Sequence, residues 1–255
     1  MGEKMLIEII LLILVLGYLL IAIVTGRKNN QKYKNVYVKN KTRLYLYKRI
    51  LLRNWTVCLI ALILMLLSNN NYLGALFDFK REFLINNTLR ITIIVISIII
   101  MAFYLFQIIR LAFNNKYRHF FWQALDKNNN GILDEVAGNM IIPRSKKEKK
   151  YYPLVAFTAG FCEEFLVRGL FFYALMYLFP AINILLVPII TGLIFGLAHN
   201  YQGLNGVIKT GIIGMLLGYI YLAYSSLLPV IVLHFCIDFM VNFIYPKEYL
   251  NVEED

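Results

Sequence analysis

The chain has 255 residues, of which 60% are hydrophobic, 15% aromatic and only 16% charged. Soluble domains hold about 45–50% apolar and about 25% charged residues, so this composition cannot cover a water-soluble globule; it excludes a cytosolic enzyme, a disordered chain and a disulfide scaffold. A net charge of +11 would raise nucleic acid as a partner of a soluble protein. Here the basic residues are confined to loops beside apolar runs, the pattern that orients a membrane protein, and no nucleic acid is expected.

Residues 5–24 form the first apolar run, long enough to cross a hydrocarbon core of about 30 Å. Gly26, Arg27 and Lys28 follow it directly. That order fits a permanent anchor, whereas a signal peptide carries its positive charge in front. Residues 27–49 hold nine Lys or Arg and no Asp or Glu, so this loop is expected in the cytoplasm and the N-terminus outside. A second span at 50–67 leads to a loop with Asp78, Lys80, Arg81 and Glu82, and a third span follows at 91–113. Residues 114–150 hold eight basic and four acidic residues, which places them in the cytoplasm again, in step with one alternation of spans. Asp126 to Glu135 in this loop matches the opening of a calcium-binding EF-hand, but Ala137 stands where the closing bidentate Glu belongs. The segment therefore reads as an Asn-rich turn.

Residues 151–246 are almost continuously apolar, divided at Pro180, at 199–203 and at 225–229. Four spans fit, at 153–179, 182–198, 204–224 and 227–245. The expectation is an all-α polytopic membrane protein with about seven transmembrane helices, six to eight at the limits, and a cytoplasmic C-terminus. Its parts are N-terminal spans and basic loops (1–150), a C-terminal core (151–246) and a short tail (247–255), set in the plasma membrane. Gly214 and Gly218 put two small residues on one helix face, which predicts close helix packing. Lys209 is expected to snorkel to the membrane surface.

In this core the ionisable residues are Glu163, Glu164, Arg168, His199, Lys209, His234 and Asp238. Each charge near a bilayer centre costs at least ~2.5–3.5 kcal/mol, and intramembrane ionisable residues mark functional sites by default. Residues four apart share a helix face, which pairs Glu164 with Arg168, Phe195 with His199 and His234 with Asp238. Glu163 points about 100° away from Glu164, so Glu164 and Arg168 can neutralise each other as a structural pair while Glu163 stays available. A carboxylate in an apolar cavity gains basicity and can deprotonate a water. A neighbouring imidazole can orient that water, and a second imidazole can stabilise an oxyanion.

These three motifs, Glu163-Glu164-x-x-x-Arg168, Phe195-x-x-x-His199 and His234-x-x-x-Asp238, resemble those of the CAAX protease and bacteriocin-processing intramembrane endopeptidases, also called the CAAX prenyl protease 2-like or Abi family. The resemblance covers residues 151–245. It implies that Glu163 activates water with His199, that His234 and the fourth-position residue form the oxyanion side, and that Glu164 and Arg168 support the fold. The family often has Asn where this chain has Asp238, and an ionised Asp cannot donate a hydrogen bond. Asp238 is then either a protonated donor or the group that orients His234. Phe195 is expected to shape the cavity.

Other readings are weaker. Cys58, Cys162 and Cys236 all lie in apolar runs and read as small buried residues; a Cys162 nucleophile is disfavoured because a thiol in apolar surroundings is inert. His119 reads as a surface residue. There is no His-Glu-x-x-His zinc signature, and neither a metal nor another cofactor is expected. The expected function is an intramembrane glutamate-dependent endopeptidase acting near the cytoplasmic face on a membrane-associated peptide or protein, its partners being that substrate and the bilayer. The alternatives are a non-catalytic membrane scaffold or bacteriocin self-immunity protein on the same fold, and a proton pathway.

Overall fold

The computed structural model describes residues 9–26, 43–67, 85–127 and 141–246, which contain helices and no strand. The helices are α1, Ile9–Gly26, then α2, Arg43–Leu67, α3, Asn87–Phe113, α4, Asn115–Lys127, and α5, Lys146–Glu164. A π-helical turn, Phe165–Phe171, joins α5 to α6, Phe172–Leu178; α7, Val187–Ala198, α8, Gly203–Tyr224, and α9, Leu227–Met240, complete the order. α1, α2, α3 and the helix that ends at Tyr224 are each long and apolar enough to cross a membrane. Large apolar side chains such as Ile63, Phe103 and Ile212 are more than half exposed. Water would oppose that surface and lipid accepts it, so the chain is an integral membrane protein.

Among the described residues two further apolar helices, Ile184–Ala198 and Leu227–Phe243, are shorter than a full span, where seven spans are expected. Other departures lie at the basic ends. α2 starts at Arg43 and α5 at Lys146, several residues before the apolar stretches, because charged first turns can extend a helix out of the hydrocarbon. Ser145 and Glu148 make a capping box at the start of α5, satisfying donors that a helix N-terminus leaves unpaired. Residues 115–127, read from sequence as loop, form α4. Arg118 is the reason: it is 1% exposed and its Nε donates to the Leu111 carbonyl at 2.8 Å, capping the end of α3. His119, expected at the surface, is half-buried. The EF-hand-like stretch after Lys127 lies outside the described residues.

α2 and α5 run parallel. The Arg43 amide bonds Glu148 Oε1 at 3.3 Å, Trp55 Nε1 bonds Thr158 Oγ1 at 2.9 Å, and Cys58 Sγ bonds the Cys162 carbonyl at 3.7 Å. The offset stays between 103 and 105 residues over these contacts, so both helices start from the same side of the bundle and advance together. Glu148 clasps the two starts, accepting also from the Arg144 amide at 2.7 Å.

α7 and α8 form the tightest crossing, and glycine makes it possible. A Cβ on Gly192 would lie 2.5 Å from the Met215 backbone nitrogen, one on Gly196 2.6 Å from the Val207 carbonyl oxygen, and one on Gly218 2.9 Å from Pro188 Cβ. Backbone atoms cannot move aside as side chains do. Gly196→Ala should therefore push α7 off α8 and destabilise the bundle by about 1–3 kcal/mol, the usual effect of overpacking. A lowered midpoint of thermal unfolding in detergent, with normal membrane insertion, is the expected result.

Candidate active site

Glu163 and Glu164 end α5, and the chain then loosens into the π turn that carries Arg168. Short π-helical turns concentrate at functional sites, and this one is wholly buried. Arg168 Nη1 donates to Glu164 Oε1 at 2.9 Å, both side chains being 0% exposed. Its Nη2 donates to the Gly214 carbonyl at 2.7 Å, and the guanidinium lies 4.9 Å from the centre of the Phe195 ring. The expected structural pair is thus present, and it ties the π turn to α7 and α8.

Glu164 has a second partner. Its Oε1 lies 2.7 Å from His234 Nδ1, which brings α9 into the same cluster. Asp238, expected either as a donor or as the group that orients His234, places Oδ2 3.7 Å from His234 Nε2, on the ring edge opposite Glu164. The i, i+4 rule brings Asp238 to the imidazole, but Glu164 arrives from another helix at shorter range, a contact no single-helix spacing can show.

Glu163 faces away from this sealed pair. Glu163 Oε2 and His199 Nε2 are 3.7 Å apart, with side chains 16% and 14% exposed. His199 Nδ1 lies 2.8 Å from the Phe195 carbonyl oxygen. A carbonyl has no proton to give, so Nδ1 carries the hydrogen, and in the neutral ring Nε2 presents its lone pair towards Glu163. Spans drawn from sequence put His199 nearer the membrane edge than Glu163. The structure brings them together because α7 is short and ends at His199, after which residues Asn200–Gln202 make one 3-10 turn.

Phe195 stands between the two imidazoles: its ring centroid is 4.5 Å from that of His199 and 6.1 Å from that of His234. Among the described residues no group of three His, Cys, Asp or Glu is placed to hold a metal ion. The three cysteines are buried and unpaired with one another. Sequence reading missed two neighbours. Tyr201 packs its ring 5.6 Å from His199, and Asn200 Nδ2 donates to the Ile23 carbonyl of α1. The polar break at 199–203 in an apolar run was the available signal.

An all-helical membrane bundle with a sealed carboxylate, an accessible carboxylate and two imidazoles on separate helices belongs to the class of polytopic membrane proteins with an intramembrane polar site. Residues 150–240 match the family model described as Type II CAAX prenyl endopeptidase Rce1-like. Over this segment the chain is similar to the CAAX proteases, and all three motifs fall inside the matched range. No curated protein and no solved structure gives a significant match to the chain.

Removing Arg168 leaves Glu164 charged and sealed from water, and breaking a buried pair in this way costs about 3–5 kcal/mol. Arg168→Ala should therefore fail to accumulate in membranes, as read by immunoblot of the membrane fraction, while Glu163→Gln should accumulate like the unaltered chain.

Proposed function

We propose that the protein is an intramembrane glutamate-dependent endopeptidase that cleaves a membrane-associated peptide or protein near the cytoplasmic face, with residues 151–246 as its catalytic core. The observation that carries this reading is the division of labour between two adjacent carboxylates: Glu164 is sealed and doubly bonded, whereas Glu163 is reachable and faces an imidazole. A gap of 3.7 Å between Glu163 Oε2 and His199 Nε2 is too long for a direct hydrogen bond, yet both atoms can share one water.

In the proposed reaction Glu163 and His199 hold that water and Glu163 takes its proton as the oxygen attacks the peptide carbonyl. The tetrahedral oxyanion needs a donor. His234 gives its Nδ1 hydrogen to Glu164, so Nε2 donates to the oxyanion when the ring is an imidazolium, a charge that Glu164 and Asp238 balance from opposite edges. Glu163 then returns the proton to the leaving amine, and the peptide bond breaks with one water consumed. Glu164 is on this reading a positioning residue for His234, more than the structural half of an ion pair.

The charge of the 27–49 and 114–150 loops supports a cytoplasmic position for the starts of α2 and α5, with the N-terminus outside. The parallel course of these two helices agrees with one side for both.

Glu163→Gln keeps the side chain's size and removes the base. Cells carrying the unaltered chain should release peptide fragments, identified by mass spectrometry, that are absent from cells carrying Glu163→Gln at equal expression; the loss should be complete within detection. Identical peptide profiles alongside an intact cellular phenotype would point to the scaffold or immunity role.

A further inference from the structure

His199 sits where α7 gives way to a single 3-10 turn, a soft mount for a ring that faces Glu163. Its amide donates to the Gly196 carbonyl at 3.0 Å, and its own carbonyl accepts the Gln202 amide at 2.9 Å. Both bonds span three residues, the 3-10 pattern, whose hydrogen-bond geometry is poorer than that of an α-helix. Gly203 ends the turn at φ 75°, in the left-handed region that glycine enters without penalty. Nothing inside so short a turn fixes the ring firmly, so support from outside it matters.

That support comes from α1, which lies outside residues 150–240, the range of the family match. Asn200 Nδ2 donates to the Ile23 carbonyl. A carbonyl only accepts, so the carboxamide can face it one way round, with Oδ1 turned aside. Among the described residues that oxygen accepts no hydrogen bond, and the bond to Ile23 is what holds the group. Oδ1 rests instead on Gly26: a Cβ built there would fall on this oxygen and lie 3.4 Å from the Tyr201 amide nitrogen. Tyr201 in turn packs its ring 5.6 Å from the imidazole of His199. The last turn of α1 therefore touches both residues that follow His199, one through its side chain and one through its backbone. α1 is itself well anchored, because Val15 and Leu19 are buried in the main core and Tyr18 Oη donates to Asn54 Oδ1 of α2 at 3.1 Å.

Glycine at position 26 is what lets this latch close. Any Cβ takes the seat of the carboxamide oxygen, and the carboxamide swings clear only by leaving the Ile23 carbonyl. The group that moves is the far end of a flexible side chain, so little packing is lost. Gly26→Ala thus separates the position of the turn from the stability of the bundle. Gly17 on the same helix has nothing within 4 Å of its Cβ position, which makes Gly17→Ala the matched control.

We propose that Asn200 is a positioning residue, latched to the Ile23 carbonyl over Gly26, that holds the imidazole of His199 towards Glu163. The use of that position in catalysis rests on the peptidase reading, whereas the position itself does not. α1 is on this view part of the site's frame as well as a membrane span.

The test reads the ring first and activity second. The full chain, carrying nitrogen-15 histidine in nanodiscs of phosphatidylcholine, is followed by NMR, the His199 signals being those lost in His199→Gln. The unaltered chain and Gly17→Ala should show His199 as one neutral tautomer with Nδ1 protonated. Asn200→Ala and Gly26→Ala should shift it to a mixture of both tautomers, and Asn200→Gln, which keeps an amide donor, should restore part of the single form. The activity probe is a fluorogenic farnesylated peptide ending in a CAAX sequence. On it kcat should fall about tenfold or more in Asn200→Ala and Gly26→Ala, as a small misplacement of a reacting group implies, with KM little changed. The midpoint of thermal unfolding of Gly26→Ala should stay close to that of the unaltered chain. A His199 spectrum unmoved by Asn200→Ala and Gly26→Ala overturns the proposal, and a lowered unfolding midpoint alongside it would make Asn200 only an anchor for α1. A shift of equal size in Gly17→Ala overturns it too, as does an unchanged kcat in a chain that cleaves the probe. A shifted spectrum with no cleavage even by the unaltered chain would sink the peptidase reading and leave the positioning role standing.

Discussion

The guanidinium of Arg168 is the interaction on which the rest of this bundle depends. A lone carboxylate deep in an apolar interior is prohibitively unfavourable, and Arg168 neutralises Glu164 at 2.9 Å. The same group bonds the Gly214 carbonyl and lies on Phe195, so the pair is also a fixture between the π turn, α7 and α8. Because Glu164 has an oxygen that accepts from His234 as well, α9 joins the same point. Four segments are thereby fixed by two side chains, and the three motifs are spatially one object.

The second consequence is asymmetry between neighbours. Glu163 and Glu164 are covalently adjacent, yet helix rotation turns one into the sealed cluster and leaves the other 16% exposed opposite His199. The proposed chemistry on water uses this arrangement. A carboxylate with two strong partners is already committed, whereas one with a single distant imidazole can bind and deprotonate a water. The sealed glutamate supports the accessible one indirectly, by fixing the frame in which His199 and His234 face each other across Phe195.

Much of this is legible in the sequence, and the reasons are local. Apolar run length gives the spans, i, i+4 spacing gives Glu164 with Arg168, and the cost of burying charge marks Glu163 and His234. What the sequence does not yield is contact between helices. The Glu164 to His234 bond joins residues 70 apart, so the single-helix rule credits Asp238 instead. The π turn has no composition signal in Phe165–Phe171. α4 is hidden because its stabiliser, Arg118, is a basic residue in a basic loop until its bonds to the end of α3 are seen.

The depth of His199 shows how short elements decide function. A helix of full span length would carry this residue to the membrane surface, away from Glu163. α7 has only 12 residues, Val187–Ala198, and its glycines let α8 approach so closely that the return path stays inside the bundle. The carbonyl of Phe195, one turn back, then bonds Nδ1 and turns Nε2 towards Glu163. Beyond it, Asn200 reaches the Ile23 carbonyl, so α1 closes the turn from the side that the family match does not cover. The N-terminal helices are therefore coupled to the geometry of the candidate site: a change at the end of α1 acts on Asn200, and through the 3-10 turn on the imidazole that faces the accessible glutamate.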